Sequence, residues 1–93
     1  MQRASARHIL VATNEQCEEL KAKILAGSDF AEMAKEHSTC PSGSKGGDLG
    51  EFSPGQMVAE FDAVVFSAKI NKVHGPVKTQ FGYHLLEITS RTD

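Results

Sequence analysis

No stretch of this chain approaches the roughly 20 consecutive apolar residues that a membrane-spanning helix needs. The opening residues, Met1-Gln2-Arg3-Ala4-Ser5-Ala6-Arg7, lack the apolar segment of a secretory signal. A cytoplasmic protein without membrane contact is therefore expected. An excess of charge is lacking too. Ten basic residues against 12 acidic ones leave a formal charge of −2, whereas a nucleic-acid partner would call for a basic stripe. Cysteine is scarce, with only Cys17 and Cys40. The first falls on the apolar stripe of an expected helix, and the second precedes a proline in a loop. With 40% apolar residues the chain can build a core without a staple, so both are read as free thiols in a reducing compartment. Internal repeats and low-complexity tracts are absent, which excludes repeat architectures. What is left is a single domain over residues 1–93, expected as a monomer. A domain of that size buries about 60–70% of its unfolded surface.

Within that domain the apolar residues change period several times. Residues 7–11 alternate as a strand, with Ala6, His8 and Leu10 on one face and Arg7, Ile9 and Val11 on the other. Asn14 then has the chemistry of an N-cap, and Glu15 suits the first turn. Cys17, Leu20, Ile24 and Leu25 recur at helical spacing up to a stop at Gly27. Asp29 and Glu32 have capping-box spacing and open a short helix to about residue 37, with Phe30, Met33 and Ala34 on its buried face. Residues 38–50 read as a loop rich in Ser and Gly, followed by a short strand at 49–52 that Ser53-Pro54-Gly55 ends. Val58, Phe61, Val64, Val65 and Ala68 mark a third helix. After a turn around Asn71 and Gly75 come a short strand at 77–79 and a longer one at 83–89, joined by Gln80-Phe81-Gly82. The order strand, helix, helix, strand, helix, strand, strand predicts an α+β domain: a small, mostly antiparallel sheet with helices packed on it.

Absences also narrow the chemistry. His37 and Cys40 form an H-x-x-C, yet no second Cys/His pair at finger-like spacing follows and H-E-x-x-H is missing. No metal is expected. Gly43, Gly46, Gly47 and Gly50 lack the G-x-x-x-x-G-K-[S/T] spacing of a phosphate loop, and turn formation accounts for them. Cys40 is a conceivable nucleophile with His8, His37 or His84 as base, but no acidic or amide partner stands at a recognisable spacing. Two groups keep two readings each. His8 and His84 lie inside the first and last strands: each is a hydrogen-bonded structural residue, or the two meet and fix each other's tautomers. Leu49, Met57, Phe61 and Phe81 are core, or they line an apolar cup in which a methionine adapts to a bound group.

Five segments, in order, resemble the parvulin family of peptidyl-prolyl cis/trans isomerases. They are His8-Ile9-Leu10-Val11, Ser42-Gly43-Ser44-Lys45-Gly46-Gly47-Asp48-Leu49-Gly50, Phe52-Ser53-Pro54-Gly55-Gln56-Met57-Val58 with Phe61, Gly75-Pro76-Val77, and Gln80-Phe81-Gly82-Tyr83-His84. They span about residues 6–90, and the likeness is to the small single-domain bacterial type without appendages. The resemblance implies an FKBP-like superfold, a four-stranded antiparallel sheet flanked by helices. It implies isomerisation of X-Pro bonds in peptides and in unfolded or nascent proteins, without a cofactor. It places His8 and His84 at the family's paired central histidines and Cys40 at its active-site Cys-or-Asp position. Thr79 falls at the hydroxyl that contacts the histidine network, and Leu49, Met57 and Phe61 fall in the proline-ring pocket. Phe81 stands where relatives carry a small hydroxyl residue, which implies a more apolar rim.

Phosphate-directed members of the family carry a basic loop after the first strand. Here that place holds Ala12-Thr13-Asn14-Glu15-Gln16, with Glu18 and Glu19 following. No preference for a phosphate group is expected, since a dianion would meet acid where it needs guanidinium. The implied mechanism is non-covalent: Leu49, Met57 and Phe61 clamp the pyrrolidine ring while the preceding carbonyl swings past Cys40. The alternative is a peptide-binding chaperone module with little turnover, because the same cup would serve it.

Overall fold

The computed structural model describes residues 2–92, and within them every side chain except that of Ser42. The first and last residues of the expected 1–93 domain thus lie outside the described range. Two strands rich in β-branched and aliphatic residues pair at the centre: β1 (Arg3–Val11) and β4 (Gly82–Thr92). They are flanked by β2 (Asp48–Phe52) and β3 (Val73–Thr79) in an antiparallel sheet of order β2-β1-β4-β3. Helices α1 (Asn14–Leu25) and α2 (Phe30–His37) cover one face and α3 (Ala59–Val65) the other. The order of elements is the one expected, and so is the four-stranded sheet flanked by helices. No helix is long and apolar enough to cross a membrane among the described residues.

Period-2 alternation divides the core between the two faces. Ala4, Ala6, Leu86 and Ile88 pack with Phe52, Phe61 and Val65 on the α3 side. Ile9, Val11 and Leu85 pack with Cys17, Leu20, Phe30 and Ala34 on the α1–α2 side. Each buried Leu, Ile, Val or Phe contributes about 1.5–3 kcal/mol of transfer free energy. Burial pushes the Cys17 thiol up to about 11, an effect that Glu18 adds to and Lys21 opposes. It therefore stays protonated and inert at neutral pH.

Several element ends differ from the expected ones. Thr13, not Asn14, caps α1: its Oγ1 accepts from the Gln16 amide at 3.2 Å, and Asn14 is the first helical residue. Leu25 is 69% exposed instead of lying on the buried stripe. Five residues at 100° each put it about 140° around the helix from Leu20. Asp29 caps α2 as expected, with the Glu32 amide donating to Asp29 Oδ2 at 3.1 Å. β1 begins at Arg3 because β4 runs on to Thr92 and gives it a partner. β3 begins at Val73, with Val73 opposite Glu87 and His74 opposite Leu86, and an irregularity before Val77 absorbs Gly75-Pro76. A 3-10 turn, Pro41–Lys45, occupies part of the expected loop. Helix α3 stops at Val65, where the Arg91 guanidinium donates to the carbonyls of Val65 and Ala68.

Gly47 shows how closely β1 is wrapped. Its φ is +84°, its carbonyl accepts from the His8 amide at 2.9 Å, and a Cβ there would overlap the His8 carbonyl oxygen. Gly27, at φ +119°, faces open space. Gly27→Ala is expected to cost only the backbone strain, about 1–3 kcal/mol. Gly47→Ala adds displacement of β1 and should cost at least about 1 kcal/mol more. Urea unfolding of the two variants beside the unsubstituted protein checks the difference.

Candidate active site

The α3 face of the two central strands ends in polar groups where its apolar stripe stops. His8 lies opposite Leu86 and His84 opposite Leu10, so the two histidines are diagonal neighbours on one face. They meet. Nδ1 of His8 and Nδ1 of His84 are 3.0 Å apart, with the rings near parallel at 16° and 5.2 Å between centroids. On its far side His84 Nε2 is 2.8 Å from Thr79 Oγ1, which also accepts from the Phe81 amide at 3.2 Å. One assignment gives every atom a single role. Thr79 accepts from Phe81 and donates to His84 Nε2, His84 donates through Nδ1 to His8 Nδ1, and His8 carries its proton on Nε2. Thus of the two open readings of the histidines, contact between them is the observed one.

The pair is buried, His8 being 6% and His84 4% exposed. Phe61 packs T-shaped against both rings, its centroid 5.7 Å from that of His8 and 5.9 Å from that of His84. Burial lowers the His8 pKa from 6.5 to about 4, with repulsion from His84 second. Burial lowers that of His84 as well. Both are neutral at pH 7, and the Nδ1–Nδ1 hydrogen bond by itself excludes a state with both rings charged.

Over this floor opens an apolar cavity of about 290 Å3 lined by His8, Cys40, Leu49, Met57, Val58, Phe61, Phe81 and His84. Every residue expected at the site lines it except Thr79, which stands behind His84. Phe61 is both core and wall, Leu49, Met57 and Val58 are half-buried walls, and Phe81 is 62% exposed at the rim. Cys40 is put in place by its neighbours. Ser38 Oγ accepts from the amides of Leu10 and Cys40, and the Thr39 amide donates to the Leu10 carbonyl at 2.8 Å. Leu10 is the residue opposite His84, so this staple fastens the Cys40 loop beside the histidines. Ser38 and Val58 were not singled out from the sequence for the site. A serine directly after a helix is common, and Val58 reads as one more residue of the α3 stripe. Among the described residues no group of three or more His, Cys, Asp and Glu is placed to hold a metal ion.

The lowered pKa values make stability depend on pH in a defined window. Above pH 6.5 the histidines are neutral in both folded and unfolded chains. Between pH 6.5 and about 4 the unfolded chain takes up protons that folded His8 refuses, so stability falls as pH falls, by up to roughly 1.4 kcal/mol per pH unit for each such histidine. Below about 4 this contribution levels off. The expected result is a ring titration of His8 by NMR with its midpoint near 4, and a shallower loss of unfolding free energy over this window in His8→Gln.

A family model described as a PPIC-type PPIase (rotamase) domain matches residues 4–90. The foldase protein PrsA of Geobacillus kaustophilus is 47% identical over 87 residues, which cover 92% of this chain and 31% of that protein. The chain spans about a third of the length of the curated relatives it matches first. The crystal structure of PrsA from Bacillus anthracis superposes with a TM-score of 0.95 at 38% identity, over 99% of this chain and 43% of that one. The solution structure of NmPin, a parvulin of Nitrosopumilus maritimus, gives 0.87 at 32% identity and covers 97% of this chain and 98% of that one. A match along nearly the whole domain, and a common fold with a parvulin of the same extent, mean that this chain belongs to the parvulin-type (PPIC-type) peptidyl-prolyl cis/trans isomerase family.

Proposed function

We propose that this chain accelerates rotation about X-Pro bonds in peptides and unfolded proteins, non-covalently and without preference for phosphate. The observation that carries the reading is the open apolar cavity above a neutral, oriented histidine pair. The foldase name of the curated relatives supports unfolded chains as clients.

Rotation about a peptide C–N bond meets a barrier of about 18–20 kcal/mol because resonance gives it double-bond character. In an X-Pro bond both isomers are populated, so exchange is slow and no bond has to break. The planar amide is more dipolar than the twisted one, and water favours the former. Leu49, Met57, Val58 and Phe61 offer the pyrrolidine ring a site without polar groups, which withdraws that solvation and favours the twisted form. His8, His84 and Thr79 hold the polar floor in one orientation. Cys40, at the edge of the cavity, is an electrostatic neighbour of the moving carbonyl and forms no covalent bond. Holding peptides without turning them over would use the same walls; the oriented His8–His84–Thr79 chain favours turnover. Cytoplasmic work as a monomer belongs to the same proposal. The buried Cys17 thiol, held protonated, supports the former, and among the described residues Leu25, Ile70 and Phe81 are the large apolar side chains left exposed, which supports the latter.

A proline-limited conformational assay on a short peptide separates the readings. The protein should raise the exchange rate, and a rate unchanged on its addition leaves only the holding reading. Met57→Ala, at a half-buried wall, should lower kcat/KM about five- to tenfold, equivalent to roughly 1–1.4 kcal/mol of transition-state stabilisation. A fully active but strongly destabilised variant would make Met57 core.

The phosphate-averse loop adjoins the site, because Val11 at the end of β1 pairs with Tyr83 beside the Phe81 turn. Part of its acid is compensated, because Lys23 lies 3.6 Å from Glu19, whereas Lys21 donates to the Gly75 carbonyl. Glu15 and Glu18 have no such ion pair among the described residues. Peptides with Leu, Phe or Ala before proline should be isomerised faster than phosphoserine ones, by a margin that shrinks at high salt. Faster turnover of the phosphopeptide would assign Lys45 or Lys78 to the site and overturn this part of the proposal.

A further inference from the structure

The cavity has one wall with little regular structure. Residues 53–57 link β2 to α3 and carry Met57, and Val58 follows at the N-cap position of α3 without making a side-chain cap. Two hydrogen bonds close this link on itself: the Ser53 amide donates to Gln56 Oε1 at 2.7 Å, and the Gln56 amide to the Ser53 carbonyl at 3.3 Å. A third ties it to the helix. The Gly55 amide donates to Asp62 Oδ2 at 3.0 Å, seven residues on. Asp62 follows Phe61, the wall that touches both histidines. Its other oxygen, Oδ1, is buried and has no hydrogen-bond partner among the described residues. Burying a carboxylate oxygen unpaired is unfavourable, so the arrangement gains nothing at Oδ1 and everything at Gly55. The contact joins the two walls that would grip a proline ring.

We propose that Asp62 is a positioning residue, whose carboxylate latches residues 53–57 onto α3 and fixes the gap between Met57 and Phe61. The proposal rests on the isomerase reading for its kinetic consequence, but not for its structural one. With the latch open, the Met57 wall samples wider positions. Binding of the proline ring then carries an ordering cost that the closed cup has already met. The loss falls on KM and on peptide affinity, while the histidine floor, and with it kcat for bound peptide, is little changed.

The test compares Asp62→Ala, Asp62→Asn and Arg91→Ala with the unsubstituted protein. Asparagine keeps an oxygen that accepts from the Gly55 amide. Arg91→Ala loosens the far end of α3, where Arg91 donates to Val65 and Ala68, and stands for destabilisation of the helix without loss of the latch. Three quantities are read: hydrogen exchange at the Gly55 amide, the Kd of a short proline peptide by NMR titration, and kcat and KM in the proline-limited assay. Asp62→Ala should speed Gly55 exchange and raise Kd and KM about fivefold with kcat within about twofold, the size expected from one lost hydrogen bond. Asp62→Asn should restore Kd to within about twofold. Unchanged Kd in Asp62→Ala overturns the latch. So does an equal loss in Asp62→Asn, or an equal loss in Arg91→Ala. If Asp62→Ala does not fold, Asp62→Leu removes the acceptor while filling the space, and the same Kd and exchange outcomes decide. If the unsubstituted protein accelerates no exchange, the isomerase reading fails by itself, and peptide Kd with Gly55 exchange still decides the latch.

Discussion

Antiparallel pairing of β1 with β4 brings Arg3 beside Thr92, Leu10 beside His84 and His8 beside Leu86. That register does two things at once. It sends Ala4, Ala6, Leu86 and Ile88 to the α3 side and Ile9, Val11 and Leu85 to the α1–α2 side, and it sets two imidazoles in hydrogen-bond contact. A slip of one residue would turn each side chain of one strand to the other face. The same slip would separate the histidines and break both halves of the core. Register is therefore enforced by burial on two faces, and the geometry of the site is inherited from it.

Electrostatics then ties the site to the fold. Two rings whose Nδ1 atoms are 3.0 Å apart in a desolvated place cannot both be charged. Burial resolves this by holding the pair neutral, which leaves one donor and one acceptor between them. The apolar surroundings that depress their pKa values are partly the walls of the cavity: Phe61 touches both rings and lines the cup. An apolar pocket and an uncharged polar floor are thus two consequences of one packing arrangement. A more polar wall would weaken both.

Around this rigid floor the rim is made of connections, each fastened by a few hydrogen bonds. Ser38 and Thr39 hold the Cys40 loop to Leu10, Thr79 holds the Phe81 amide, and Asp62 holds Gly55. Loops positioned by a scaffold allow the contacts at the rim to vary without disturbing the core. Phe81, mostly exposed on its turn, is the clearest case of an aromatic side chain there that the core does not require.

The sequence by itself determined whatever depends on near neighbours. The Asp29 cap, the buried stripe of α2 and the order of elements were legible because caps and periodicity act over three or four residues. The motifs that resemble parvulins were legible too, and with them most of the residues that line the cavity. Thr13 and Asn14 both have capping chemistry, so only the helix itself could choose between them. Residues 4–6 are small and weakly strand-forming, and residues 73–76 contain Gly75-Pro76; both segments joined strands because β4 supplied a partner across the fold. The contact of His8 with His84, separated by 76 positions, and the Asp62–Gly55 tie could not be read from pattern at all. Pattern records which face a residue prefers, whereas a hydrogen bond depends on the register between strands and on the path of a loop. Those were decided only when the two faces of the sheet were packed.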